Sequence, residues 1–236
     1  MLTSNIGLWC SLFERAGMLR KFWVDRWKRN QIGFHQVNYN VWLTKYWGNL
    51  GLASLSPVFV PMCGKSLDMR WLEQQGHLIR GIDLAGIALE AYFEEGNEDF
   101  NRIAQGSLTR YEGLNSVLFC GDFFELTAVD LDGVVAAFDR GALVALAPGH
   151  RGNYVDHMLR VLPEGSQILL VTLEYDQHLV SGPPFSVLPE EVETLYESRC
   201  SVEVLESAPT DLVPPHFQAH GVESAVECVY RIIKER

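Results

Sequence analysis

The residues of this chain best suited to chemistry gather around one turn. Val58-Phe-Val-Pro-Met-Cys-Gly-Lys-Ser-Leu-Asp-Met69 has the pattern of a strand, a tight turn and the start of a helix, and Gly81-Ile-Asp-Leu84 that of the end of a second strand. Asp83 follows Gly64 by 19 residues. This spacing puts a carboxylate at the tip of the second strand, beside a turn whose backbone a ligand can approach closely. Nucleoside-binding α/β folds hold a ribose in this way.

The same turn separates the nucleotide types. Gly64-Lys65-Ser66 imitates the end of a P-loop and Val134 to Asp139 imitates a Walker B strand, but the glycine required five residues before Gly64 is replaced by Phe59. The G-x-G-x-x-G that lets backbone approach a pyrophosphate is also missing, since a single glycine follows Pro61-Met-Cys63. A nucleoside site without a phosphate cluster remains, and S-adenosylmethionine is the common cofactor of that description.

Other segments supply what such a cofactor needs. Cys120-Gly-Asp-Phe-Phe124 places Gly121 and Asp122 at the end of a third strand, where a carboxylate can accept the adenine amine with Phe123 beside the ring. The plain alternative is a strand-ending turn with both phenylalanines in the core. Arg140, in Asp139-Arg-Gly-Ala-Leu-Val144, sits at the carboxyl edge of a further strand, where ligands of open α/β folds bind; its structural alternative is an ion pair with Asp139 or another acid. Trp23 and Trp27 are four apart on one helical face, followed by the loop Gln31-Ile-Gly-Phe-His-Gln36. They either cap the core or form a lid whose aromatic faces suit a sulfonium and exclude water. Phe34 and His35 lie in that loop, within reach of a substrate.

These residues need a scaffold that brings strand ends to one edge. Apolar runs near 55–61, 77–84, 116–121, 132–138 and 167–175 have the character of strands buried on both faces of a parallel sheet. Helical patterns at 67–75, 85–95, 152–162 and 189–198 lie between most of them, closed by Gly76, Gly96 and Pro163. Two late strands, 202–205 and 225–233, follow without a convincing helix between them, which predicts an antiparallel closing edge. This α/β order resembles a Rossmann-like methyltransferase.

Composition bounds the rest. With 236 residues, 47% of them hydrophobic, and no linker or repeat, the chain is expected to form one domain over 20–236, with 20–50 as an active-site lid. Residues 1–19 are an N-terminal extension without a secretory pattern, and Met18 is an alternative start of translation. Thirty acidic against 19 basic residues give a formal charge of -11, which disfavours nucleic acid and anionic membranes as partners. No apolar run is long enough to cross a membrane. Five cysteines without a C-x-x-C pair favour reduced thiols in the cytoplasm, Cys63 among them as a packing residue of the turn. The seven histidines have no metal-ligand spacing, so no metal is expected.

Taken together, Phe22-Trp-x-x-x-Trp27, Gln31 to Gln36, Pro61 to Met69, Gly81 to Leu84, Cys120 to Phe124, Asp139 to Leu143 and Gly182-Pro-Pro-Phe-Ser186 resemble, in order, the motifs of the thiopurine S-methyltransferase family. The resemblance covers residues 20 to 235. It implies a class I, seven-stranded, mostly parallel sheet with an antiparallel final strand, monomeric in known members. It also implies S-adenosylmethionine-dependent methylation of sulfur on aromatic and heterocyclic thiols, with selenium and tellurium species as substrates of bacterial relatives.

Carried over residue by residue, the resemblance puts Trp23, Trp27, Met62, Gly64, Asp83, Gly121, Asp122, Phe123 and Arg140 at the cofactor. Phe34 becomes a substrate-facing aromatic. Met62 replaces the usual leucine, Asp83 the usual glutamate, and His216 stands in the region where mammalian members carry a substrate-side arginine. Gly182-Pro-Pro-Phe185 is either a substrate wall or a turn. Rival readings are a halide or thiocyanate methyltransferase of the same superfamily, a nucleotide hydrolase using Gly64-Lys65-Ser66, and a non-catalytic cofactor-binding module. A small anion would want a tighter pocket than the aromatic lid offers.

Overall fold

The computed structural model describes residues 21–210 and 215–235. The extension 1–19, with Met18 and Cys10, lies outside the described residues. Nine strands form one sheet. In chain order they are β1 (Pro57–Pro61), β2 (Leu78–Asp83), β3 (Asn101–Gln105), β4 (Leu108–Glu112), β5 (Ser116–Cys120), β6 (Ala136–Arg140), β7 (Gln167–Glu174), β8 (Cys200–Thr210) and β9 (Ala225–Lys234). Their spatial order is β3-β4-β5-β2-β1-β6-β7-β9-β8. The run β5-β2-β1-β6-β7 is parallel, and β9 enters antiparallel between β7 and β8.

Helices cover both faces. They are α1 (residues 21–28), α2 (Val41–Tyr46), α3 (Leu67–Gln74), α4 (Gly86–Glu95), α5 (Pro148–Val161), α6 (Pro189–Tyr196) and α7 (Pro215–Gln218). Side chains alternate along a strand, so β1 feeds two cores. Val58 and Val60 pack with Trp42, Met69, Leu72, Leu89 and Phe93 of α2, α3 and α4, whereas Phe59 packs with Tyr154, Met158, Val192 and Tyr196 of α5 and α6. No described helix is long and apolar enough to cross a membrane.

The expected strands and helices form, with shifted ends. The fourth strand runs over Ala136–Arg140, so Arg140 is its last residue, and α5 starts four residues before the predicted 152 because Pro148 opens it at a first-turn position. The sheet departs from the expected seven strands by the hairpin β3–β4. Residues of β3 are almost all solvent-exposed, so the segment lacks the apolar run that marks the central strands. Its local signal is Gly106, at φ +59, in the turn between the two paired strands. Without this hairpin the order is the expected seven-stranded one with its antiparallel closing pair.

The sheet is tightest where β2 passes the turn after β1. A Cβ on Gly81 would lie 2.8 Å from Leu118 Cδ2 and 2.9 Å from Cys63 Sγ, both in the core. Gly81→Ala is therefore expected to destabilise the protein by about 1–3 kcal/mol, read as a lower urea midpoint at unchanged slope.

Candidate active site

The ends of β1 and β2 are tied by the predicted acid. Asp83 Oδ2 accepts from the Gly64 backbone N–H at 2.8 Å, and Oδ1 accepts from the Ala85 N–H at 2.8 Å. Burial pushes this carboxyl up to about 6, with the N–H groups of Ala85, Gly64 and Leu84 pulling the other way. Each oxygen keeps a lone pair beyond its backbone bond, so the group can still accept a hydroxyl. A third link, from the Gly121 N–H to the Asp83 carbonyl at 3.0 Å, brings the end of β5 to the same point.

The turn is glycine-dependent. Gly64 has φ +50, and a Cβ there would stand 2.6 Å from Cζ2 of Trp27, so the indole of α1 rests directly on this backbone. Met62 adopts φ +46 two residues earlier and packs on the core beneath. Cys63 is buried, its thiol pushed well up by that burial, as befits a packing residue. Lys65 forms an ion pair with Glu95, and Ser66 Oγ caps α3 by accepting from Asp68 N at 3.2 Å. Both P-loop look-alike side chains are thus spent within the protein.

Asp139 and Arg140 part company. Asp139 is fully buried, accepting from Tyr154 Oη at 2.7 Å and from Leu143 N at 3.2 Å, and burial pushes it up to about 6. Its carboxylate serves the core, so it neither pairs with Arg140 nor faces a metal. Arg140 is half-buried and makes no hydrogen bond or ion pair among the described residues. Burial lowers its pKa, while the charges of Asp68 and Glu227 raise it.

Phe34 ties α1 to the loop that follows it. Its ring meets Trp23 and Trp27 edge-on, each with centroids 5.5 Å apart, and is itself two-fifths exposed. His35 is half-buried beside Lys65, Glu95, Arg140 and Asp68, and desolvation followed by the Lys65 charge lowers its pKa. The start of α2 is fixed by Asn40, which caps it through its side chain and donates its backbone N–H to Asp68 Oδ1 at 2.7 Å.

At the third strand end, Asp122 Oδ1 accepts from Phe124 N at 3.0 Å and so caps the turn Phe123–Glu125. Phe123 is buried against Tyr154, centroids 4.8 Å apart, while Phe124 is exposed. The Gly182 to Ser186 loop is pinned by Arg151, which is fully buried and donates to Ser186 O at 3.0 Å while pairing with Glu191 at 2.6 Å. His216 belongs to α7, but its side chain lies outside the described residues.

Two acids at this edge escaped sequence reasoning. Asp68 was hidden inside a helix-start pattern, although Ser-x-Asp after a turn is itself a capping signal. Glu227 is a lone carboxylate in the apolar run of β9, and that contrast was its only mark. Among the described residues no group of three His, Cys, Asp or Glu could hold a metal.

The Thiopurine S-methyltransferase (TPMT) family model matches residues 18–235. The chain is 45% identical over 211 residues to a thiopurine S-methyltransferase of Pseudomonas putida strain W619, covering 89% of this chain and 97% of that one. It is 39% identical over 216 residues to that of Nitrosospira multiformis (92% and 98%), and 40% over 217 residues to a probable one of Yarrowia lipolytica (91% and 100%). Among solved structures it resembles the Burkholderia thailandensis 1,6-didemethyltoxoflavin-N1-methyltransferase, crystallised with S-adenosylhomocysteine. The TM-score is 0.63 at 16% identity, covering 95% of this chain and 90% of that one, a likeness of fold.

The contact of Trp27 with Gly64 can be tested directly. Gly64→Ala should cost about 1–2 kcal/mol for the left-handed backbone alone and displace the indole, so a lower melting temperature together with a shifted tryptophan emission is expected. Unchanged emission would mean that Trp27 does not rest on the turn.

Proposed function

This chain belongs to the thiopurine S-methyltransferase family, and on that premise we propose that it transfers a methyl group from S-adenosylmethionine to the sulfur of aromatic and heterocyclic thiols such as thiopurines. The observation that carries this reading is Arg140. It is a half-buried guanidinium with no protein partner among the described residues, at the carboxyl edge of the sheet, beside His35 of the aromatic lid.

The residues present fit the cofactor. Asp83 retains lone pairs at the tip of β2 for ribose hydroxyls, Asp122 suits the adenine amine with Gly121 and Phe123 beside it, and Lys65 is held by Glu95 rather than free for a phosphate. Trp23 and Trp27 offer aromatic faces to a cation. S-adenosylmethionine supplies the methyl group on an activated sulfonium. The chain's contribution is alignment and a dry site, because transfer to a thiolate is an in-line displacement in which opposite charges annihilate. Phe34, His35 and His216 form the substrate side, residues 20–50 close over it, and Arg140 holds the anionic sulfur or its ring nitrogen.

We further propose that the enzyme acts as a cytoplasmic monomer with small-molecule substrates, metalloid species included, and without nucleic acid. Thiols outside any disulfide at Cys63, Cys200 and Cys228 support a reducing setting.

Release of S-adenosylhomocysteine in the presence of a thiopurine tests the activity. Arg140→Ala is expected to reduce kcat/KM at least about tenfold, about 1.4 kcal/mol, and an unchanged value would remove Arg140 from the reaction. Asp83 gives a pH signature. Its carboxylate, the form that accepts two ribose hydroxyls, prevails above its pKa of about 6 and is lost below it. Cofactor affinity should therefore weaken as pH falls through that value, by up to about tenfold per unit, and Asp83→Asn should flatten the dependence. Calorimetry at about pH 5 and about pH 7.5 compares the two proteins.

A further inference from the structure

Resting on the methyl-transfer reading above, we propose that Glu227 is a specificity-determining residue, the acceptor for the ring N–H of a heteroaromatic thiol held opposite Arg140. The topology brings the two together. β9 runs antiparallel to β7, with Glu227 opposite Leu173, while Arg140 at the end of β6 is opposite Val171 on the other side of β7. Val229, two residues after Glu227, and Phe138, two residues before Arg140, pack in the same core layer as Trp42. Both charged side chains therefore emerge on the α2 face of the sheet, at the edge where the lid begins.

Glu227 is built to present one oxygen. Trp42, only 8% exposed and locked in the core, donates its indole N–H to Oε2 at 2.7 Å. Oε1 has no protein partner among the described residues. Arg140 feels this carboxylate, yet no ion pair forms between them, so neither group cancels the other.

The chemistry gives such a carboxylate a task. A heteroaromatic thiol that has not ionised is largely a thione with an adjacent ring N–H, and for that form the thiolate must be developed in the site. As the sulfur forms its new S–CH3 bond, the ring nitrogen's lone pair moves in to form C=N and the C=S π pair shifts onto sulfur, while the sulfonium C–S bond breaks with its pair left on the cofactor sulfur. The ring N–H proton then passes to Glu227 and on to water, so the thione, sulfonium and carboxylate become a methylthio ring, a thioether and a carboxylic acid. Hydrogen-bonding that N–H beforehand pushes electron density onto sulfur. A thiophenolate has no N–H to offer and meets a like charge instead.

Glu227→Gln separates this role from mere anchoring of α2, because the amide oxygen still accepts from Trp42. S-adenosylhomocysteine release would be measured with 6-mercaptopurine and with thiophenol, alongside melting temperature. We expect the ratio of kcat/KM for 6-mercaptopurine to that for thiophenol to fall at least about tenfold in the variant at an unchanged melting temperature. Trp42→Phe, which frees the carboxylate, should move the ratio in the same direction. An unchanged ratio, whether both rates stay or both drop with the melting temperature, would overturn the inference and leave Glu227 as an anchor. If the wild-type protein methylates neither thiol, the methyl-transfer reading fails and this one with it.

Discussion

The site hangs on one carboxylate shared between two loops. Asp83 binds the backbone N–H groups of Gly64 and Ala85, so the turn after β1 and the start of α4 are held at a fixed distance from each other and from the end of β2. Were that acid absent, two backbone donors would be left in a partly buried place, a cost of about 1–3 kcal/mol each. The geometry also explains how a residue one methylene shorter than the family's usual glutamate can stand here. An aspartate reaches both neighbouring backbones and stays close to the sheet edge, so any ribose would have to approach the loops more closely.

Around that tie, buried charge is divided into two kinds. Asp139 is satisfied by Tyr154 and backbone, which makes it a structural post behind β6. Arg140, one residue later, points to the opposite side of the strand and finds no partner. Alternation along a single strand thus puts a satisfied acid into one core and an unpaired cation at the strand's carboxyl end. Asp68 and Glu227 complete the electrostatic frame without neutralising it.

Much of this was legible in the residues themselves. That Asp83, Gly64 and Arg140 lie at or just past strand ends can be read from the sequence, because parallel strands buried on both faces leave apolar runs whose termini are easy to locate. The β3–β4 hairpin was not found, since an exposed edge pair carries little apolar signal. The strand-ending turn at Gly121-Asp122 was an alternative in the sequence, but Asp122 as its cap and the different burial of Phe123 and Phe124 needed the fold. Glu227 was invisible for a different reason. Its importance comes from Trp42, 185 residues away along the chain, and no local pattern encodes that contact.

That long contact also bears on how the molecule is made. α2, near the start of the described chain, is fastened to the last two strands through Trp42 to Glu227 and through Lys45 and Tyr46 to Glu206. The segment ahead of β1 is therefore stitched to the far edge of the sheet. Closing a loop of this size is slow and entropically costly. The parallel core can assemble without it, but α2 gains its footing only once β9 has paired with β7 and β8 with β9, so this corner is expected to be among the last parts of the molecule to order during folding.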